Sequence, residues 1–91
     1  MIKSFRNKGL EKYANEDVSK GLPPDLLKRI SIRLQLLKAA VRPEYMNKPG
    51  FNFHELQGKT KRYSVHVNGP WCITFGWEGD SAVDVDFENY H

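Results

Sequence analysis

The sequence has only one cysteine, Cys72, so a single chain cannot form an internal disulfide. This composition suits a reducing compartment. No apolar stretch approaches the roughly 20 residues that an α-helix needs to cross a bilayer, and the first residues lack the basic-then-apolar order of a signal peptide. We therefore expect a cytoplasmic protein that does not enter the membrane.

The length and composition are those of one small folded domain spanning residues 1–91. Of the 91 residues, 40% are hydrophobic, 12% aromatic and 27% charged, which is too apolar for a disordered segment. No segment repeats and none is of low complexity. A domain of this size buries a modest fraction of its surface, so a partner would contribute to its stability.

Positive charge is confined to the first two thirds of the chain. All 14 Lys and Arg residues lie between Lys3 and Arg62. After Arg62 there is no Lys or Arg, and the acidic residues are Glu78, Asp80, Asp84, Asp86 and Glu88. A basic body predicts a polyanionic partner, and the acidic end leaves open a second partner of opposite charge.

The first half of the chain shows a helical period. Ile2–Phe5 predicts a short edge strand, and Asn7–Lys20 predicts a weakly amphipathic helix that stops at Gly21. A second helix is predicted to begin after Pro23 and to close at Pro43. Its apolar residues recur at spacings of three and four: Leu26, Leu27, Ile30, Leu34, Leu37 and Val41.

After Gly50 the period changes from helical to alternating, which predicts strands. Phe51–Leu56 is a candidate strand, and three alternating runs follow it across two glycine-containing turns. The runs are Tyr63–Asn68, Trp71–Trp77 and Val83–Phe87. The fold class is therefore α+β, with two N-terminal helices packed on a small, mainly antiparallel sheet and the strand aromatics in the core.

The alternation also predicts the register, because opposed residues share a face of the sheet. Keeping the apolar residues together puts Val65 opposite Ile73, and therefore His66 opposite Cys72. The same rule brings Cys72 close to Glu88. The predicted polar face then carries Ser64, His66, Cys72, Thr74 and Asp86, with His54 on the neighbouring strand.

Five segments, with their spacing kept over nearly the whole chain, resemble the HigB or "proteic killer" family of RelE-like toxins. They are Met1–Leu10, His54–Gly58, Trp71–Phe75, Glu78–Ala82 and Asn89–His91. The resemblance implies two helices on a small antiparallel sheet, in agreement with the periodicity. It also implies the toxin of a type II toxin–antitoxin pair.

The activity that this resemblance implies is cleavage of mRNA in the ribosomal A site, without a metal or other cofactor. The RNA's own 2′-hydroxyl attacks the adjacent phosphate, which calls for a base, an acid and a positive charge. Carried over by position, the catalytic candidates are His54, Tyr90 and His91. The implied partners are the ribosome, mRNA and a helix-turn-helix (HigA-like) antitoxin, through which alone the toxin meets operator DNA.

The chain departs from the family pattern at three positions: Gln57 replaces Lys, Cys72 replaces Arg and Asn89 replaces Asp. Two cations are thereby lost from the site. Basic residues nearby and near the N-terminus are the candidates for binding RNA or the ribosome: Lys59, Lys61, Arg62, Arg6, Lys8 and Lys12. Basic residues of the second helix either join this surface or form a solvated helix face: Lys28, Arg29, Arg33 and Lys38.

Two other functions stay open. The replaced residues allow a catalytically weakened relative that binds an antitoxin and acts as a co-repressor. A ParE-like gyrase poison is the other, although retention of His54, Tyr90 and His91 argues against it. A zinc site is not expected, because the histidines and Cys72 lack close ligand spacing.

Overall fold

A computed structural model describes residues 1–89; the predicted catalytic residues Tyr90 and His91 lie outside this range. Over it the chain forms two α-helices and one antiparallel sheet with strand order β1-β2-β3-β4. This confirms the α+β prediction. The elements are α1 (Lys8–Glu16), α2 (Leu27–Ala39), β1 (His54–Leu56), β2 (Arg62–Asn68), β3 (Trp71–Glu78) and β4 (Ser81–Asn89). Neither described helix is long and apolar enough to cross a bilayer.

Both helices are shorter than predicted, and capping contacts explain where they end. The Asn7 side chain accepts a hydrogen bond from the Leu10 N–H at 2.9 Å and so caps α1, which ends at Asp17 in a left-handed conformation. The last carbonyls of α2 are met by the N-terminal ammonium, which donates to the Ala40 oxygen at 2.5 Å. Val41, assigned to the apolar stripe, lies beyond the helix and is 64% exposed.

The sheet has the predicted register along its central strands. Val65 pairs with Ile73, and Cys72 lies between His66 and Glu88. The strand predicted over Phe51–Leu56 is shorter in the structure. Asn52 takes a left-handed backbone conformation (φ 46°), and pairing begins only two residues later, at His54. Residues 2–5 run beside β4 and join it through two isolated parallel bridges.

The core lies between one face of the sheet and the helices. Its fully buried side chains come from both: Leu10, Ile30, Leu37, Val65, Ile73 and Phe75. The strand aromatics belong to this core or pack against it, as predicted. The Trp71 and Phe87 rings, for example, stack with their centroids 4.6 Å apart. The core occupies one face, so the opposite face is left for polar groups.

Arg33 does not belong to a solvated or RNA-binding face of the second helix, so for this residue the prediction is wrong. Its side chain is buried, and its Nε donates to the His66 carbonyl at 2.7 Å. The guanidinium carbon lies 4.2 Å from the centre of the Phe51 ring. Burial, and secondarily Arg29, lower the pKa of Arg33. This arginine therefore ties α2 to the sheet.

The variant Arg33→Gln should destabilise the fold by about 2 kcal/mol, because it removes a charge-assisted hydrogen bond and the contact with Phe51. Urea unfolding followed by circular dichroism would measure the loss. Arg42→Gln is the matched control, since Arg42 is exposed and the charge change is the same. Equal stability of the two variants would contradict this structural role for Arg33.

Candidate active site

The face of the sheet away from the helices is organised as three rows of side chains. Cross-strand partners share a face, so each row follows from the pairing. The central row is His54, Ser64, Thr74 and Asp86. The cysteine row, on one side of it, is His66, Cys72 and Glu88. The arginine row, on the other side, is Arg62, Gly76 and Val83. We call these three rows the polar face.

The polar face combines buried hydroxyls with accessible ionisable groups. Ser64 is only 1% exposed and Thr74 is fully buried, whereas His54 is exposed. Within residues 1–89 the Ser64 hydroxyl has no hydrogen-bond partner. The sequence pattern predicted which residues share the face, and this is confirmed. It did not show that the two hydroxyls at its centre are covered by their neighbours.

His54 is held in an orientation that suits a general base. Its Nδ1 lies 2.8 Å from the carbonyl oxygen of Asn52. A carbonyl can only accept, so the neutral ring carries its proton on Nδ1 and leaves the Nε2 lone pair available. The left-handed backbone of Asn52 turns that carbonyl toward the ring's own residue. The result is an accessible imidazole with a fixed tautomer.

A chain of hydrogen bonds crosses the polar face from β2 to β4. The Nη2 group of Arg62 donates to Thr74 Oγ1 and to the Asp84 carbonyl, both at 3.0 Å. The Thr74 hydroxyl donates in turn to the carboxylate of Glu88. The sequence analysis named Arg62 as a candidate but did not predict its hydrogen-bond network through Thr74 to Glu88. The signal was the register, which places Glu88 diagonally from Thr74.

The environment of Arg62 is partly desolvated and mixed in charge. Burial is the main cause that lowers its pKa, followed by the positive charge of Arg6. The carboxylates of Glu88, Asp86 and Asp84 act in the opposite direction. A guanidinium remains charged near neutral pH despite such a shift. Arg62 is therefore a fixed positive charge on a face that also carries His54.

The structure brings together only some of the predicted RNA-binding residues. Arg6, Lys61 and Arg62 line one cleft that lies at the arginine row. Lys8 and Lys12 are exposed on α1, away from that cleft's lining. Lys59 is exposed in the turn between β1 and β2 and does not line the cleft either.

The three positions at which the resemblance predicts a departure from the family pattern lie at or near the polar face. Gln57 is exposed directly after β1, and Cys72 is half-buried between His66 and Glu88. Asn89 ends β4 opposite Trp71. Among the residues that the structure describes, no three His, Cys, Asp or Glu side chains are arranged to hold a metal ion.

Two helices packed on one side of a four-stranded antiparallel sheet, with a histidine and basic groups on the other, are the arrangement of a RelE-like toxin. The family model for the RelE-like toxin of the type II toxin–antitoxin system HigB matches residues 3–91. The chain belongs to this family. It is also 35% identical to Endoribonuclease HigB of Proteus vulgaris over 92 residues, covering 100% of both chains. A toxin of this family has a cognate antitoxin as its partner.

Proposed function

We propose that this protein is a ribosome-dependent endoribonuclease toxin that cleaves mRNA in the cytoplasm and is neutralised by its antitoxin. The observation that carries the proposal is the His54 ring, whose Nδ1 contact with Asn52 leaves Nε2 as the basic nitrogen, on a face that also holds Arg62. The similarity to a relative named as an endoribonuclease supports the same activity. One domain, residues 1–91, carries both catalysis and binding of the partner.

The chemistry that this face supports is transfer of the phosphate to the RNA's own 2′-oxygen. His54 Nε2 removes the 2′-hydroxyl proton as that oxygen attacks the adjacent phosphorus. The bond to the 5′-oxygen of the next nucleotide breaks, and an acid returns a proton to the leaving oxygen. We assign the acid to His91, with Tyr90 orienting the phosphate. A positive charge near the phosphorane stabilises it, and no metal enters this scheme.

The basic residues divide into two groups with different proposed roles. Arg6, Lys61 and Arg62 line the cleft at the arginine row and suit contact with the message. Lys8 and Lys12 are exposed on α1 and suit contact with ribosomal RNA. We assign Lys59 to the same backbone binding. The antitoxin partner is proposed to be of the helix-turn-helix, HigA-like kind and to supply the only contact with operator DNA.

Induced expression without antitoxin tests the proposal, with mRNA ends mapped in cells that carry the wild type or His91→Ala. Wild type should arrest growth and cut translated messages, whereas His91→Ala should lower cleavage by about 10²–10⁴-fold, as expected for loss of a general acid. A message without a start codon provides the control for ribosome dependence.

Each other outcome rejects the proposal in a different way. A harmless wild type that still binds its antitoxin would identify a weakened relative whose role is repression. Growth arrest with intact messages and trapped gyrase would identify a gyrase poison. Equal cleavage of translated and untranslated messages would remove only the ribosome from the scheme.

A further inference from the structure

A hollow interrupts the polar face at Gly76, in the middle of β3. A Cβ atom at this position would lie 3.2 Å from Val83 Cγ2 and 3.8 Å from Arg62 Nη1. Because glycine has no side chain, the guanidinium of Arg62 can extend across β3 to reach the Asp84 carbonyl on β4. The hollow is a cleft of about 300 Å³, also lined by Arg6 and Lys61.

Two arginines face this cleft, and no carboxylate of residues 1–89 forms an ion pair with either. Within residues 1–89 the ion pairs are Lys3 with Glu78 and Lys61 with Glu55, so neither Arg6 nor Arg62 forms one. The carboxylates of Glu78 and Asp84 border the cleft, but Arg62 bonds the backbone carbonyl of Asp84. Two like charges held close together are stabilised when an anion lies between them.

The guanidinium of Arg62 is positioned before any ligand arrives. Both hydrogen bonds that it makes to described residues leave from Nη2, at 3.0 Å to Thr74 Oγ1 and 3.0 Å to the Asp84 oxygen. Among the described residues neither Nε nor Nη1 has a hydrogen-bond partner, and Nη1 is the Arg62 atom nearest the hollow, 3.8 Å from the Cβ position at Gly76. A guanidinium that is already held in place and has donors left over binds a phosphate oxygen with little further loss of side-chain freedom.

We propose that this hollow binds one backbone phosphate of the RNA, near the linkage that is cleaved, through Arg62 and Arg6. The inference rests on the proposed function and locates a part of its substrate. Leu56 pairs with Arg62 and His54 pairs with Ser64, so the arginine row lies two residues, about 7 Å, along the strands from His54. Gly76 on β3 also lies two strands, about 9.5 Å, across the sheet from β1. The hollow is therefore about 12 Å from the position of His54 on the sheet, a distance that a short stretch of single-stranded RNA spans.

The first test measures binding of a short single-stranded RNA that a 2′-deoxy sugar at the cleaved linkage makes uncleavable. Fluorescence anisotropy would compare the wild type with Arg62→Gln and Arg6→Gln. Each variant should bind about tenfold more weakly, because it loses a charge-assisted contact. Each should also lower the slope of log affinity against log salt by about 0.7, the value for one phosphate on a single strand.

The matched control is Arg42→Gln, which removes the same charge from an exposed position outside the cleft. It should leave both the affinity and the slope close to those of the wild type. Arg62→Lys keeps the charge but loses the fixed planar guanidinium, so its affinity should fall between those of wild type and Arg62→Gln. Thermal unfolding of each variant verifies that the fold is intact. A loss in Arg62→Gln no larger than in Arg42→Gln overturns the proposal.

The second test replaces single phosphates of the same RNA with neutral methylphosphonates. The wild type should lose affinity most at one linkage near the cleaved one, and Arg62→Gln should be insensitive at that linkage. Equal sensitivity of both proteins at every linkage overturns the proposal. Stronger Arg62-dependent binding of an acidic peptide than of RNA also overturns it and makes the cleft a protein-binding site.

These tests separate the hollow from the proposed function. If the protein binds RNA with this phosphate pattern but cleaves no message in cells, the phosphate site at Gly76 is supported and the endoribonuclease function is rejected. If the Arg62→Gln variant binds and cleaves RNA as the wild type does, the endoribonuclease function is supported and the phosphate site at Gly76 is rejected.

Discussion

Replacing His54 with alanine should lower the rate of RNA cleavage by about 10²–10⁴-fold, the range expected when a general base is removed. The ring is exposed, and among the described residues it bonds only the nearby Asn52 carbonyl, through Nδ1. The substitution should therefore leave the free energy of unfolding nearly unchanged. Mapping of mRNA ends after induction, together with urea unfolding of the purified variant, would measure both quantities.

His66→Ala is the matched control for His54→Ala, because His66 is a second histidine on the same polar face. Its Nε2 lies 3.0 Å from the Gly69 carbonyl in the following turn, and its row is one removed from that of His54. Cleavage by His66→Ala should remain close to wild type. If His66→Ala abolished cleavage and His54→Ala did not, the two histidines would exchange roles and the assignment made here would be wrong.

The register of the sheet was predictable because alternation leaves little freedom. A shift of one residue would move every apolar side chain of a strand to the solvent side. The pairing of Val65 with Ile73 therefore followed from the alternation of apolar and polar residues, and it is confirmed. Helix ends were less predictable, since Val41 continues the apolar period although the helix has already ended at Ala39. Its last turn is capped by the chain's own N-terminus, a contact 39 residues distant in sequence.

The sequence predicted a residue of the candidate site only where the family resemblance or the strand pattern fixes its place. His54 came from resemblance, and its place on the polar face follows from strand pairing. The links from Arg62 through Thr74 to Glu88 required the structure, because they depend on side chains that cross three strands. Burial of Arg33 was hidden for the same reason, since a helical period alone does not tell which basic residue meets a strand carbonyl.

Replacing Cys72 with arginine should raise the rate of RNA cleavage by about 10²-fold, the lower end of what one donor to a developing negative charge contributes. Cys72 is half-buried between His66 and Glu88, one row from His54. A guanidinium placed there would restore one of the cations that the resemblance predicts for the family and this chain lacks. Arg62 does not replace it in our assignment, because Arg62 binds another phosphate of the RNA. Adding Gln57→Lys should increase the rate further.

The matched control is Cys72→Gln, which extends the side chain without adding charge and should leave the cleavage rate close to wild type. Introducing His54→Ala into the Cys72→Arg variant should abolish the gain, because a cation at the phosphate cannot supply the missing base. If Cys72→Arg and Cys72→Gln cleaved equally fast, the phosphorane would already be neutralised by another group. Arg62→Gln would then reduce the rate of the chemical step rather than the affinity for RNA. Single-turnover cleavage at saturating RNA separates these two effects, because it reports the chemical step alone.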